Sequence, residues 1–221
     1  MKPKRIILIR HGESEANMDK YMFANIPDYT IELTAHGMEQ AREAGVKLKA
    51  LVNDESLYFY VSPFWRTRST FEQIAAAFPR EQFHYSEEPR LREQEWGYLR
   101  CNDDFDRVCR ERREYGAFYY RFPGGEAASD VYDRINDVLG SLFRDFSHPD
   151  FPDNCVLVTH GLAIRLFIMR FFHLTIEDFE RMIAPKNCEL VILELTDGKY
   201  VLKTEIQKSD KSLKFERPIR I

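Results

Sequence analysis

Residues 1–18 read MKPKRIILIRHGESEANM. Within them, Arg5 to Ile9 is a short β-branched apolar run with a basic start and an abrupt polar stop. That pattern belongs to a strand buried on both faces, as in the middle of a parallel sheet. Arg10, His11, Gly12 and Glu13 follow at once, then Ser14 and Asn17. Open α/β sheets hold their ligands at the carboxyl ends of their strands, so this turn is the natural place for a site. Gly12, lacking a Cβ, is expected to let the backbone approach whatever His11 touches.

The motif of a strand stopping at polar residues recurs twice. Leu57 to Val61 (LYFYV) ends at Ser62-Pro63, and Phe64 to Phe78 reads as a helix closed by Pro79, with Arg66 in its first turn. Cys155 to Val158 (CVLV) runs into Thr159-His160-Gly161, and another helix follows. Between these, Tyr21 to Tyr29 has no period and reads as a loop. Thr34 is the N-cap of a helix running to Val52, with Met38, Ala41, Ala44, Val46, Leu48 and Leu51 as its stripe. A short strand is expected around Phe83 and Tyr85, then a loop carrying Arg90, Arg92, Glu93, Glu95 and Trp96. Asp103 to Tyr115 is helix-permissive, and Glu126 to Phe146 is a long amphipathic helix with Val131, Ile135, Val138, Leu142 and Phe146 on one face. Thr175 to Ile183 reads as a short helix. Leu190 to Leu195 and Tyr200 to Glu205 flank Asp197-Gly198, a hairpin signal. Strands alternating with helices predict an α/β three-layer sandwich, a mainly parallel central sheet with helices on both faces. The economical organisation is one domain over 1–221, with 208–221 a loose charged tail.

Composition narrows the function classes. The 221 residues are 44% hydrophobic and 14% aromatic, which is globular and not disordered. A net charge of −4 gives no global pull toward nucleic acid or anionic membrane. Cys101, Cys109, Cys155 and Cys188 are widely spaced with no CxxC pair, against a disulfide framework or structural zinc. No stretch has signal-peptide or transmembrane length, so a cytoplasmic protein is expected.

Three strand ends thus bring together Arg10-His11, Arg66 and His160-Gly161, with Glu93 on a loop between them in sequence. Two arginines and two histidines on one sheet edge make an anion site, because guanidinium matches phosphate fork to fork. An imidazole inside such a cluster can attack phosphorus, and Glu93 can supply the proton for a leaving group. A metal site built from His11, Glu13 and His160 is opposed by the charges of Arg10 and Arg66. Glu95, two residues along the same loop, rivals Glu93 as the acid.

The run LIRHGESEAN at 8–17 resembles the signature of the histidine phosphatase superfamily, the phosphoglycerate-mutase-like fold. Further segments match in order: Leu33-Thr34 with Gly37 and Gln40-Ala41; Ser62-Pro63 with Arg66-Thr67-Arg68 and Thr70; Leu91-Arg92-Glu93 with Trp96-Gly97; Phe122-Pro123-Gly124-Gly125-Glu126; and Val158-Thr159-His160-Gly161. Six motifs in order and spacing, from Arg5 to Leu195, carry a specificity that a lone RHG lacks. The resemblance implies that His11 is transiently phosphorylated and that Arg10, Arg66 and His160 hold the phosphoryl group. It implies Glu93 as proton donor and then base, phosphate contacts from Asn17, Ser14 and Gly161, and neither metal nor cofactor. Two departures stand out. Ala127 occupies the place after Gly-Glu where phosphatase members often carry Ser, and the proline-rich insertion of the sugar-phosphate mutase branch is missing. The expectation is a metal-independent phosphomonoesterase acting on a small phosphorylated molecule or a phosphopeptide. A phosphoglycerate-type mutase is the alternative, and a non-catalytic phosphate-binding or protein-binding module a third. Oligomeric state is open.

Overall fold

The computed structural model describes residues 2–209. Six strands form one sheet in the order β3-β2-β4-β1-β5-β6. They are β1 (Arg5–Arg10), β2 (Leu57–Val61), β3 (Phe83–Glu87), β4 (Asn154–Thr159), β5 (Leu190–Thr196) and β6 (Lys199–Leu202). β3, β2, β4 and β1 run parallel, and β5 and β6 return antiparallel on the β1 side. Asp197 and Gly198 take φ of 49° and 78°, the positive values a two-residue hairpin turn demands, as the Asp-Gly pair predicts.

Side-chain parity divides the apolar strands between two helical layers. Ile6 and Leu8, with Cys155 and Leu157, face α6 (Ala128–Asp145) and α7 (Gly161–Phe171), with α8 (Ile176–Arg181) packed beside α7. Ile7 and Ile9, with Val156 and Val158, face α3 (Ala35–Val52) and α4 (Trp65–Ala75). Ile6–Ile9 of β1 and Cys155–Val158 of β4 are therefore an unbroken apolar run because both sheet faces are covered, and the expected three-layer sandwich is what forms. The remaining helices are α1 (Glu15–Met18), α2 (Met22–Asn25) and α5 (Asn102–Tyr115). None of the described helices is long and apolar enough to cross a membrane.

Local chemistry sets most boundaries where the sequence places them. Thr34 caps α3, its Oγ1 accepting the Gly37 N–H at 2.9 Å. α4 ends short of Pro79. Three details differ. The segment 21–29 is not plain loop: it holds α2 and a 3₁₀ turn at Asp28–Thr30, elements too short to show a period. Val46 lies off the stripe of α3 and is 66% exposed, while Gly45 takes the buried place against Ile74. At the far end, Lys208 bridges to Met182 and the Ser209 N–H donates to the Arg181 carbonyl at 2.8 Å. The first two residues of the expected tail are thus tied down, and 210–221 lie outside the described residues.

A third apolar cluster lies away from the sheet. Leu99, Phe105, Val108 and Phe122 pack with Phe23 and Trp96, joining α5 to α2. Phe23 stacks on Trp96 at 5.2 Å, and the Tyr21 hydroxyl donates to Asp106 at 2.9 Å. These contacts hold the 96–122 excursion beside the 21–25 segment.

Candidate active site

The strand register assembles the site. Arg10 lies opposite Thr159, and the His11 N–H donates to the Thr159 carbonyl at 3.0 Å. The Ser62 N–H donates to the Val158 carbonyl at 3.0 Å. Three parallel strands therefore end on one line, which sets His11, Ser62 and His160 side by side. The two histidine rings meet edge to face with centroids 5.3 Å apart.

His11 is buried, and its Nδ1 lies 2.7 Å from the Gly12 carbonyl. A carbonyl only accepts, so Nδ1 carries the proton and Nε2 keeps its lone pair. Burial, then the charges of Arg66 and Arg10, push the His11 pKa well below the ordinary 6.5. The ring is a neutral imidazole with one nucleophilic nitrogen. His160 is fully buried, with Nε2 2.8 Å from the Ser62 hydroxyl and Nδ1 without a partner. Burial and the neighbouring Arg66 and His11 likewise hold it neutral.

Arg10 donates from Nη1 to the Pro185 carbonyl at 2.9 Å, while its Nε is buried and unpartnered. Gly161 opens α7 directly against that group, since a Cβ there would sit 3.5 Å from the Arg10 Nε. Arg66 is 3% exposed, donates to the Asp28 carbonyl at 2.7 Å and lies 2.8 Å from the Asp28 carboxylate. Burial raises the Asp28 pKa although Arg66 pulls it down. Thr70 locks α4 to the turn after β1, accepting the Gly12 N–H at 3.0 Å and donating to the Arg66 carbonyl at 2.6 Å.

The expected role of Gly12 needs correction. A Cβ there would meet the Gly37 carbonyl oxygen at 2.4 Å, and one on Gly37 would meet the Glu13 oxygen at 2.0 Å. The glycine pair lets α3 press against the turn, so backbone packing, and not ligand approach, is what excludes a side chain. Glu13 accepts from the Thr34 hydroxyl at 2.8 Å and so fixes the same junction.

Glu93 is half-buried on the wall of a cavity of about 1040 Å³. Residues 23–29, Phe64, Arg92, Glu93 and 95–100 line this cavity. Desolvation raises the Glu93 pKa, against a hydrogen bond from the Gln94 N–H and the attraction of Arg66 and Arg10. Glu95 is exposed and turns its main chain toward Glu126, so the two rivals occupy different environments. Asn17 and Ser14 are less free than the sequence suggests. Asn17 Oδ1 accepts the Ser14 N–H at 3.0 Å and approaches Asn187 Nδ2 at 3.3 Å.

Two residues that hold the site, Arg134 and Asn187, escape the sequence reading. Arg134 Nη1 donates to the carbonyls of Arg90 and Arg92 at 2.6 and 2.9 Å, and Nη2 donates to that of Glu93 at 3.0 Å. Its other edge forks onto Glu126, with Nε and Nη2 at 3.1 and 3.0 Å. Glu126 in turn accepts from Arg92 Nη2 at 2.8 Å and from the Glu95 N–H at 3.0 Å. Thr159 Oγ1 completes the tether, donating to the Leu91 carbonyl at 2.7 Å. The signal was an arginine set between Val131, Ile135 and Val138, inside the apolar stripe of α6. Asn187, whose Nδ2 donates to the His11 carbonyl at 2.9 Å, gave no such signal.

The model of the histidine phosphatase superfamily, branch 1, matches residues 6–207. The chain belongs to the histidine phosphatase superfamily. It is 42% identical over 209 residues to a phosphoglycerate mutase-like protein of Arabidopsis thaliana, covering 89% of this chain and 66% of that relative. The chain therefore spans about two thirds of that protein's length. It is 29% identical to a broad-range acid phosphatase of Saccharomyces cerevisiae, over 94% of this chain and 90% of the relative. Among solved structures, the mycobacterial glucosyl-3-phosphoglycerate phosphatase in complex with VO3 superposes with a TM-score of 0.72 at 20% identity. That match covers 94% of this chain and all of the other, and at such identity it shows the shared histidine-phosphatase fold.

Proposed function

We propose that this histidine phosphatase hydrolyses phosphate monoesters through a phosphohistidine at His11, with no metal ion. The observation that carries the reading is the His11 ring: Nδ1 is tied to the Gly12 carbonyl, which leaves Nε2 free, and the ring packs against His160 under the charges of Arg66 and Arg10. A neutral imidazole so oriented is a ready nucleophile at neutral pH.

In the first step the Nε2 lone pair attacks phosphorus and the P–O ester bond breaks. The leaving oxygen takes its proton from Glu93, whose raised pKa suits an acid working near neutrality. Arg10, Arg66 and the Nδ1–H of His160 neutralise the equatorial oxygens, as phosphoryl transfer requires. The unpartnered Arg10 Nε and His160 Nδ1 suit that task. In the second step the Glu93 carboxylate takes a proton from water, its oxygen attacks phosphorus, and the P–N bond breaks to restore His11. Phosphate leaves, and Glu93 is protonated again. The wide cavity beside Glu93 favours water as the acceptor over return of the group to a second alcohol.

Rapid quenching with a radiolabelled phosphate ester tests this. An alkali-stable, acid-labile label is expected on the protein, present in EDTA and missing from His11→Ala. Glu93→Gln should slow phosphorylation by an alkyl phosphate far more than by p-nitrophenyl phosphate, whose leaving group needs no proton. Equal slowing refutes the acid assignment, isomerised ester in place of free phosphate makes the protein a mutase, and no label at all refutes the covalent route.

A further inference from the structure

Asp28 is a carboxylate that the steps above do not use, and it lines the same cavity as Glu93. It opens the 3₁₀ turn that follows Pro27, and the turn is firmly seated. The Thr30 N–H and hydroxyl donate to the Pro27 carbonyl at 3.0 and 2.7 Å, Ile31 is fully buried, and the Tyr29 ring meets Trp65 of α4 edge to face. Backbone and packing therefore place Asp28 without help from a ligand. Its main-chain carbonyl and its carboxylate reach the same nitrogen, Arg66 Nη1, at 2.7 and 2.8 Å. The carboxylate contact is one of charge, since the buried Oδ1 accepts no hydrogen bond among the described residues. Nη1 is thereby committed, and Arg66 Nε and Nη2 remain for a phosphoryl oxygen.

Two carboxylates partly withdrawn from water in one cavity do not both ionise readily, because their like charges repel. Which of them keeps its proton follows from their partners. Asp28 touches a cation, and that contact holds its charge against the cost of burial. Glu93 has the Gln94 N–H at 3.0 Å and no ion pair among the described residues, and it feels Arg66 and Arg10 only through space. The negative charge therefore settles on Asp28 and the proton on Glu93. The Asp28 charge acts on Glu93 twice: it repels a second negative charge directly, and it offsets the Arg66 charge that draws the proton off. Arg112 of α5 and Arg165 of α7 also feel Glu93 and favour its charged form, so they work against Asp28. The other charged groups of the cavity are engaged elsewhere, with Arg92 paired to Glu126 and Glu95 and Arg100 exposed.

We propose that Asp28 is a positioning residue for the proton transfers of Glu93: from its seat on Arg66 it keeps the proton on Glu93 until the leaving oxygen takes it, and it makes the resulting carboxylate a stronger base toward water. This rests on the reading given above, in which Glu93 is the acid. The proton passes from Glu93 to the ester oxygen and is replaced from water in the second step. Asp28 neither gives nor receives it, and no bond to Asp28 forms or breaks.

Carbon-13 NMR of the full chain, labelled at the glutamate side-chain carboxyls, tests this without turnover, the Glu93 signal being the one missing from Glu93→Gln. In the wild type Glu93 should titrate above the ordinary 4.5. In Asp28→Asn, which keeps the shape and removes the charge, the midpoint should fall by about one pH unit. In Asp28→Glu, which keeps the charge, it should stay near the wild-type value. A Glu93 midpoint unmoved by Asp28→Asn overturns the proposal, whether or not esters are hydrolysed. The rate of His11 phosphorylation gives the second readout. With an alkyl phosphate, activity is lost as Glu93 loses its proton, so the alkaline limb of the pH profile should move down in Asp28→Asn by the same amount. With p-nitrophenyl phosphate, whose leaving group needs no proton, that shift should be missing. A merely structural Asp28 would lower Tm and slow both esters alike at every pH with the limb fixed, and that result also overturns the proposal. A midpoint that moves while Glu93→Gln slows both esters equally supports the coupling of the two carboxylates and refutes the acid assignment beneath it.

Discussion

Replacing Arg134 by Met keeps most of the side-chain volume and removes the cation that organises the Glu93 loop. Three main-chain carbonyls lose a donor, and Glu126, itself 12% exposed, loses its forked partner. Breaking a buried ion pair by deleting one member typically costs 3–5 kcal/mol, because the remaining charge stays dry. Glu126 keeps Arg92 and the Glu95 N–H, so the lower end applies, about 3 kcal/mol. For a domain of this size each kcal/mol moves Tm by roughly 2–4 °C, so a fall of about 6–12 °C is expected. The catalytic consequence is selective. The Glu93 carboxyl loses its fixed position, and a misplacement on the order of 1 Å can cost about 100-fold in kcat. His11, Arg10, Arg66 and His160 are held by β1, α4 and the β4–α7 junction, so inhibition by vanadate should change less than about threefold, the spread allowed for distant sites. Thermal unfolding gives the first number, and steady-state hydrolysis of an alkyl phosphate with a vanadate titration gives the others. A cycle with Glu126→Gln should show a coupling of about 1–3 kcal/mol. If Arg134→Met lowers Tm by under 2 °C, or if vanadate affinity falls in parallel with kcat, the clamp does not act through Glu93.

Both site histidines are held neutral by burial, so below pH 6.5 the unfolded chain binds protons that the folded chain refuses. Their contribution is intact above pH 6.5 and is lost as pH falls through that value, by at most about 1.4 kcal/mol per unit for each ring. Tm measured from pH 7.5 to 5.5 in phosphate-free buffer should fall, and His160→Asn should flatten the slope; parallel curves for the two proteins contradict this. Ala127→Ser should stabilise by about 1 kcal/mol: Ala127 is the N-cap of α6, and Asp130 already accepts its N–H at 2.9 Å, so a hydroxyl completes the capping box. Denaturant melts read this directly, and a loss of stability means the buried site has no room for the oxygen. Gly12→Ala should cost more than about 3 kcal/mol or prevent folding, since its Cβ meets backbone at 2.4 Å. Soluble protein with wild-type stability in urea refutes the packing argument.

Much of the fold was legible because it rests on chemistry local in sequence. The apolar runs of β1 and β4, the Thr34 cap and the Asp197-Gly198 turn each declare themselves within a few residues. The strand-end residues of the site declare themselves for the same reason, since each follows its own strand directly. Contacts closed by the main chain at long range did not show. Arg134 spends its donors on carbonyls more than forty residues earlier, and carbonyls carry no residue identity. The Gly12–Gly37 approach also joins two backbones, so Gly12 alone suggested room for a ligand and Gly37 only the start of a helix. Glu93 and Glu95 differ in depth and not in type, and depth follows from how the Glu126 fork seats the loop.

The place of β1 in the sheet has a consequence for synthesis. Both of its neighbours, β4 and β5, come from the last third of the chain. At ribosomal rates of 5–20 residues per second, about 150 residues amount to roughly 10–30 s. Through that interval Ile6 to Ile9, fully buried in the finished protein, have neither strand beside them. The nascent chain carries a sticky unpaired strand that chaperones must tolerate or cover. His160, the Pro185 carbonyl that holds Arg10 and the Asn187 amide that holds His11 then arrive within a few seconds of one another. Catalytic competence therefore comes late and all at once.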